Sequence, residues 1–339
     1  MLTTLIIATL ITVAGESEPA RQPRLAGLGK LVALTFGIRN RIYCTTSPDG
    51  GVRFSAPRLV ASVDFTPLGR HRGPRVALTQ KTVLISAIVG KQSGRDGDLA
   101  VWRSEDGGDS WSPPRLLNSV SGSAREGLHG MAASPDGVVL VVWLDDRSGR
   151  KQLFGAISRD HGRSWSQDRL IYASPDGHVC ECCHPSAAIG PRGELIAMWR
   201  NWLQGARDMY MAQSADGGES WAVRKLGTGT WLLQACPMDG GGLSISEGKL
   251  VSAWRHQNGI FLTLGDEPEQ QIGQGRNPAP AGQAVVWEDA AGRIALNRNL
   301  ASSVEIVAPR GAFPTMTTSS LGLVLAWESP DGIEVTVKK

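Results

Sequence analysis

Ser104-Glu-Asp-Gly-Gly-Asp-Ser-Trp111, Ser158-Arg-Asp-His-Gly-Arg-Ser-Trp165 and Ser214-Ala-Asp-Gly-Gly-Glu-Ser-Trp221 are three copies of one octapeptide pattern, S-x-D-x-G-x-S-W. A degenerate copy, Ser47-Pro-Asp-Gly-Gly-Val-Arg-Phe54, precedes them, so the leading serines Ser47, Ser104, Ser158 and Ser214 recur at a nearly constant interval. Each copy reads as a tight turn with its own fastener. The aspartate accepts hydrogen bonds from the backbone amides of the turn, and glycine supplies a positive φ. A fixed period of this length marks a chain built from repeated supersecondary units. A second element recurs with it: a short apolar strand, usually ending in Trp, at 31–36, 83–89, 138–143, 194–199, 249–254, 283–287 and 323–327. Continuous apolarity over so short a run predicts strands buried on both faces. Seven such strands predict seven four-stranded units.

These turns are Asp-boxes, and the chain resembles the sialidase-like (Asp-box, BNR repeat) β-propeller superfamily. The resemblance implies an all-β ring of blades, seven by the strand count; the alternative is six, with one unit merged into its neighbour. In such a ring the Asp-box turn joins strands three and four, on the face opposite the strand-one entries. Asp106, Asp160 and Asp216 are therefore expected to be structural. The seventh unit shows clear sequence for only three strands, and residues around 21–25 are expected to supply the fourth and close the ring.

Composition agrees. Of 339 residues, 41% are hydrophobic, and 41 glycines and 19 prolines punctuate the chain. The 35 basic and 32 acidic residues leave a net charge of +3, too small for a nucleic-acid footprint. The opening stretch, MLTTLIIATLITVA, is apolar and uncharged. It falls short of the roughly 20 residues a membrane helix needs, and suits a signal-peptide core. The expectation is a signal peptide over 1–15, a single propeller over 20–339, and a periplasmic or secreted protein with no membrane span.

The superfamily resemblance also sets a test for glycoside hydrolysis. A sialidase would clamp its substrate carboxylate with three arginines and use a late tyrosine nucleophile paired with Glu, with an Asp as acid/base. Arg75, Arg200, Arg255 and Arg276 are available, but the tyrosines are Tyr43, Tyr172 and Tyr210, none beyond the fourth unit. The first strand reads Arg24-Leu-Ala and lacks the Arg-Ile-Pro signature. Sialidase activity is not expected, although an exo-sialidase or another hydrolase acting on glycans is the alternative. A platform for protein partners is a third reading.

The cysteines point elsewhere. There are five, and four of them lie between 180 and 236. Cys180-Glu-Cys182-Cys183-His184 offers three thiols and an imidazole in one short segment. His129, His184 and Cys236 precede Trp143, Trp199 and Trp254 by similar intervals, which suggests matching positions on neighbouring blades. The expected site is therefore Cys180, Cys182, Cys183, His184, Cys236 and His129 at the mouth of the central channel, with Met238 and His178 nearby. Soft thiolates select Cu(I) or zinc; Cys180 and Cys183 are spaced C-x2-C, but the second, well-separated pair of a usual zinc site is missing, so copper is preferred. The competing reading is a disulfide from Cys180 or Cys182 to Cys236. Cys44 reads as buried and inert.

Overall fold

The computed structural model describes residues 8–92, 94–175 and 177–339. Seven antiparallel sheets form a ring, one per repeat. Blade 1 is Arg21–Leu28, Leu31–Ile38, Arg41–Ser47 and Arg58–Ser62, and blade 2 is Arg75–Leu78, Val83–Val89, Asp98–Ser104 and Arg115–Leu116. Blade 3 runs His129–Ala133, Val139–Asp145, Gln152–Ser158 and Arg169–Tyr172. Blade 4 is Ser186–Ile189, Leu195–Trp202, Met209–Ser214 and Ala222–Lys225, with a very short strand, His178–Val179, also paired to Leu195–Trp202. Blade 5 starts at Gly242–Ser246, blade 6 at Arg276–Ala281 and blade 7 at Ala312–Ser319. All seven predicted apolar strands are second strands, as the pattern required.

The Asp-boxes link strands three and four. In the first full copy, Ser104 Oγ donates to Asp106 at 2.7 Å and accepts from Gly108 N at 2.8 Å, while Asp106 also accepts from Ser110 N at 3.0 Å. Asp160 and Asp216 repeat this pattern. Bonds from Ser110 and Ser104 favour the ionised form, and they hold the Asp106 carboxyl well below the usual carboxylate range. These aspartates are fasteners of turns on the far face.

Packing follows from twist. Neighbouring sheets diverge outward, and large side chains fill the wedge between them. Trp143, Trp199, Trp254, Trp287 and Trp327 are at most 2% exposed. One apolar cluster lies between each neighbouring pair of blades around the ring. Cys44 sits in the cluster between blades 1 and 2, where burial pushes its thiol up to about 12.

Closure differs from the expectation. Arg21–Leu28 does not complete blade 7; it is the inner strand of blade 1, paired with Leu31–Ile38 across a tight turn at Gly29 and Lys30. Blade 7 takes its outer strand from Thr9–Ile11, which pairs with Gly332–Lys338. The local hairpin wins because strand 31–38 already needs an inner partner, and the immediately preceding segment is the nearest. Residues 1–7 of the expected signal segment lie outside the described residues; Ile11, within it, is buried against Ile38, Ile333 and Val335. Among the described residues no helix is long and apolar enough to cross a membrane.

Candidate metal centre

Strand-one entries and the loops between strands two and three share one face. There the short strand His178–Val179 holds the cysteine segment against blade 4, and Cys180 N continues the pairing by donating to Arg200 O at 2.9 Å. The chain then turns, with Cys183 N bonded to Cys180 O at 3.3 Å. The turn folds the thiols onto one another. Cys180 Sγ lies 2.9 Å from Cys183 Sγ and 3.6 Å from Cys182 Sγ, and all three sulfurs fall within 4.8 Å of each other. Cys180, Cys182 and Cys183 are 1%, 6% and 1% exposed, with Met238 packed against them.

Cations surround this cluster. Arg207 Nη1 donates to Cys180 Sγ at 3.1 Å. Arg200 is buried and spends its fork on backbone carbonyls, those of Asp239, Arg207 and Arg255, at 3.0, 2.7 and 2.8 Å. Hydrogen bonds from the Cys182 and Cys183 thiols, together with the fields of Arg200 and Arg207, hold Cys180 well below the ordinary thiol value. Burial and the Cys180 neighbour push Cys183 up. Cys180 is thus the thiol of the three that gives up its proton most easily, which suits a soft electrophile.

The other predicted ligands divide. Cys236 is exposed, yet it borders the trio: Cys180 does most to raise the Cys182 thiol, and Cys236 adds to that shift. The two histidines are not brought in. His184 turns its ring into the channel, bonding Gly241 O at 3.0 Å and stacking on His71 with ring centres 4.1 Å apart. His129 bonds Ser86 at 3.0 Å, one blade further on. The similar offsets mislead for a register reason. His129 pairs directly with Trp143, whereas Ser186 pairs with Met198 and Gly242 with Ala253. Position 184 therefore falls just before its strand begins, and Cys236 lies further still before its own, in a loop. That loop reaches the cluster because residue 240 is glycine: a Cβ there would meet His184 O at 1.8 Å.

The channel itself is lined by Arg24, His71, Arg75, His184 and Asn277 around a cavity of about 140 Å³. Of the arginines on this face, Arg24 has Nη2 at 3.0 Å from His71 Nδ1 and a buried Nε without a partner among the described residues, while the others are engaged by protein groups. Arg75 donates to the carbonyls of His71, Gly73, Pro74 and His129 at 2.6–3.1 Å. Arg276 pairs with Glu288, and Arg255 donates Nε to Gln257 O. Tyr43 does bond a glutamate, Glu16, but in the third strand of blade 1, away from the channel. Replacing Arg75 with Met should strip four buried carbonyls of a donor and cost about 3–5 kcal/mol. Urea unfolding would measure it, and a loss under about 1 kcal/mol would show that Arg75 is not structural.

Arg207 and Asp239 were not singled out by sequence. Asp239, 1% exposed, accepts from Asn277 N at 2.8 Å and ties the blade 5 entry to blade 6. The only local signal for Arg207 is its place shortly after Trp202, the last residue of strand Leu195–Trp202, over whose ring it sits at 5.6 Å.

Comparisons agree with this architecture. The family described as BNR repeat-like domain matches residues 76–228. No curated protein matches the chain. Among solved structures, the α-L-arabinofuranosidase of Fusarium graminearum in complex with arabinobiose is 13% identical, with a TM-score of 0.55 and 98% of each chain covered. A Hadza microbial sialidase is 16% identical, with a TM-score of 0.52, covering 91% of this chain and 73% of its own. A Dyadobacter fermentans protein of unknown function is 16% identical, with a TM-score of 0.54 and coverage of 98% and 99%.

Proposed function

We propose that this sialidase-like β-propeller is a metal-binding protein that holds one soft ion, copper preferred, on Cys180, Cys182 and Cys183, with Cys236 as a flanking thiol, and that it does not hydrolyse sialosides. The observation that carries this reading is the buried trio of sulfurs within 4.8 Å of one another, held by a strand and a turn. Ligands fixed by a rigid scaffold lose little entropy on binding. Three thiolates make a soft, anionic donor set that hard ions do not favour. The engaged channel arginines support the second half of the proposal.

The test is an anaerobic titration of reduced protein with Cu(I) against a competing chromophoric chelator, alongside thiol counting. One Cu(I) per chain is expected in the wild type. Cys182→Ser should abolish stoichiometric binding, and Cys236→Ser should weaken it by roughly tenfold, the size of an outer-shell effect. Fluorogenic sialosides and arabinofuranosides should give no turnover. Absence of metal, with a disulfide among the four clustered cysteines, would sink the metal reading; sialoside hydrolysis would revive the enzyme.

A further inference from the structure

We infer that the charge around the thiols, set by Arg207 together with Arg200, makes the site select monovalent soft ions over divalent ones. The inference rests on the metal reading above and adds what decides the choice of ion.

Metal binds thiolates, so the loaded ligand set contributes three negative charges in a place where each sulfur is at most 6% exposed. Two positive charges belong to the same volume. Arg200 is 1% exposed and its side-chain bonds go to uncharged carbonyls. Arg207 gives one nitrogen to Cys180 Sγ and its Nε to Leu233 O at 3.1 Å. Neither forms a salt bridge among the described residues, so neither charge is cancelled by a carboxylate bonded to it. The remaining charged neighbours balance or face water. Arg255 feels Cys183 as well as the buried Asp239, whose carboxylate offsets it; Asp208 pairs with Lys225 at 2.8 Å, and Glu181 is exposed. The His184 ring faces the channel, bonded to Gly241 O and stacked on His71, and Met238 carries no charge.

The three buried thiolates and two guanidiniums leave one negative charge; Cys236, the exposed flanking thiol, lies outside this buried count. A monovalent ion brings the buried assembly to neutrality, whereas a divalent ion leaves it positive. Uncompensated buried charge is costly, so the protein, not only the sulfur, favours the monovalent ion. Ligand number points the same way: three sulfurs converge, while structural zinc takes four ligands. With Arg207 neutralised, the balance reverses, since a divalent ion now closes the charge.

The experiment is a paired competition titration of the reduced full chain with Cu(I) and with Zn(II), in wild type, Arg207→Gln, Arg207→Lys and Met238→Lys. Arg207→Gln should lower the Cu(I)/Zn(II) affinity ratio by about tenfold or more, a conservative figure for one charge at a partly solvated position. Arg207→Lys, which keeps the charge, should hold the ratio within about threefold. Met238→Lys adds a cation beside the sulfurs without touching Arg207, and should raise the ratio. A ratio unchanged in Arg207→Gln, with both ions weakened alike, would overturn the inference and leave Arg207 a packing residue. If Arg207→Gln does not fold, a ratio that does not rise in Met238→Lys overturns it. Binding of neither ion by the wild type would instead overturn the metal reading, and this inference with it.

Discussion

Removing residues 332–339 is expected to leave no folded propeller at room temperature. The deleted segment is the third strand of blade 7, and it carries two dependents. On one side it is the partner of Thr9–Ile11, which loses every backbone pairing; on the other it covers Gly322–Ser329. Ile333 and Val335 are at most 2% exposed and sit in the cluster between blades 7 and 1, with Ile11, Phe36 and Val324. Losing the burial of Ile11, Ile333 and Val335 alone costs about 4.5–9 kcal/mol, at about 1.5–3 kcal/mol for each aliphatic side chain. A domain's whole stability is commonly about 5–15 kcal/mol, so the loss is comparable to the total. It also falls where the ring closes, so it opens the circle instead of trimming an end. The blade 1 junction would follow, because Glu328, which accepts from Gln22 N at 2.6 Å and pairs with Arg21 at 3.2 Å, lies on the strand that loses its cover. Circular dichroism and size-exclusion chromatography would read the result. A truncated chain that keeps a cooperative melt within about 5 °C of the full chain would show that the ring tolerates an open blade.

Most of this fold was legible because its units are short and self-announcing. The octapeptide fixes a turn, the Trp-ended strand fixes a buried second strand, and antiparallel alternation then assigns every loop to a face. That alternation separates Asp106, Asp160 and Asp216 from the opposite face, where the thiols lie. The closing strand was not legible, since Thr9–Ile11 is short, carries no turn signal and owes its conformation to Gly332–Lys338 at the other end of the chain. The site was half legible. Cys180, Cys182 and Cys183 are neighbours in sequence, and a single turn suffices to gather them. Placing His129 and Cys236 required an exact register across three blades, and loops of different length before each first strand destroyed it. Arg207 could not have been found from spacing, because its approach to Cys180 depends on the loop carrying Trp231 and Leu233, whose carbonyls accept from the Arg207 backbone N and from its Nε.

Stability is expected to fall steeply as pH drops from about 6.5 to 5, driven by two buried histidines, His71 and His129. His71 is 3% exposed and His129 is wholly buried. Burial, followed by the nearby Arg24 and Arg75 charges, holds both well below the ordinary histidine value, so the folded protein keeps them neutral. The unfolded chain titrates them near 6.5. Above that pH both states are neutral and the groups contribute no pH dependence. Below it the unfolded state binds protons that the folded state refuses, so acid favours unfolding, and the effect grows until the depressed folded values are reached. While the folded rings stay neutral, each histidine contributes up to about 1.4 kcal/mol per pH unit once the unfolded ring is protonated, hence up to about 2.7 kcal/mol per unit for the pair. His184, stacked on His71 and likewise held neutral, acts in the same direction. The Asp-box carboxylates cannot mimic this, because they titrate in a separate window; Asp160, for example, is lowered to about 2. Urea midpoints measured from pH 7.5 to 5 should therefore drop continuously below 6.5, and His129→Gln should weaken the protein at pH 7 while reducing the slope by up to about 1.4 kcal/mol per unit. A flat profile across that range, or an unchanged slope in the variant, would mean that the channel admits protons to these rings in the folded state.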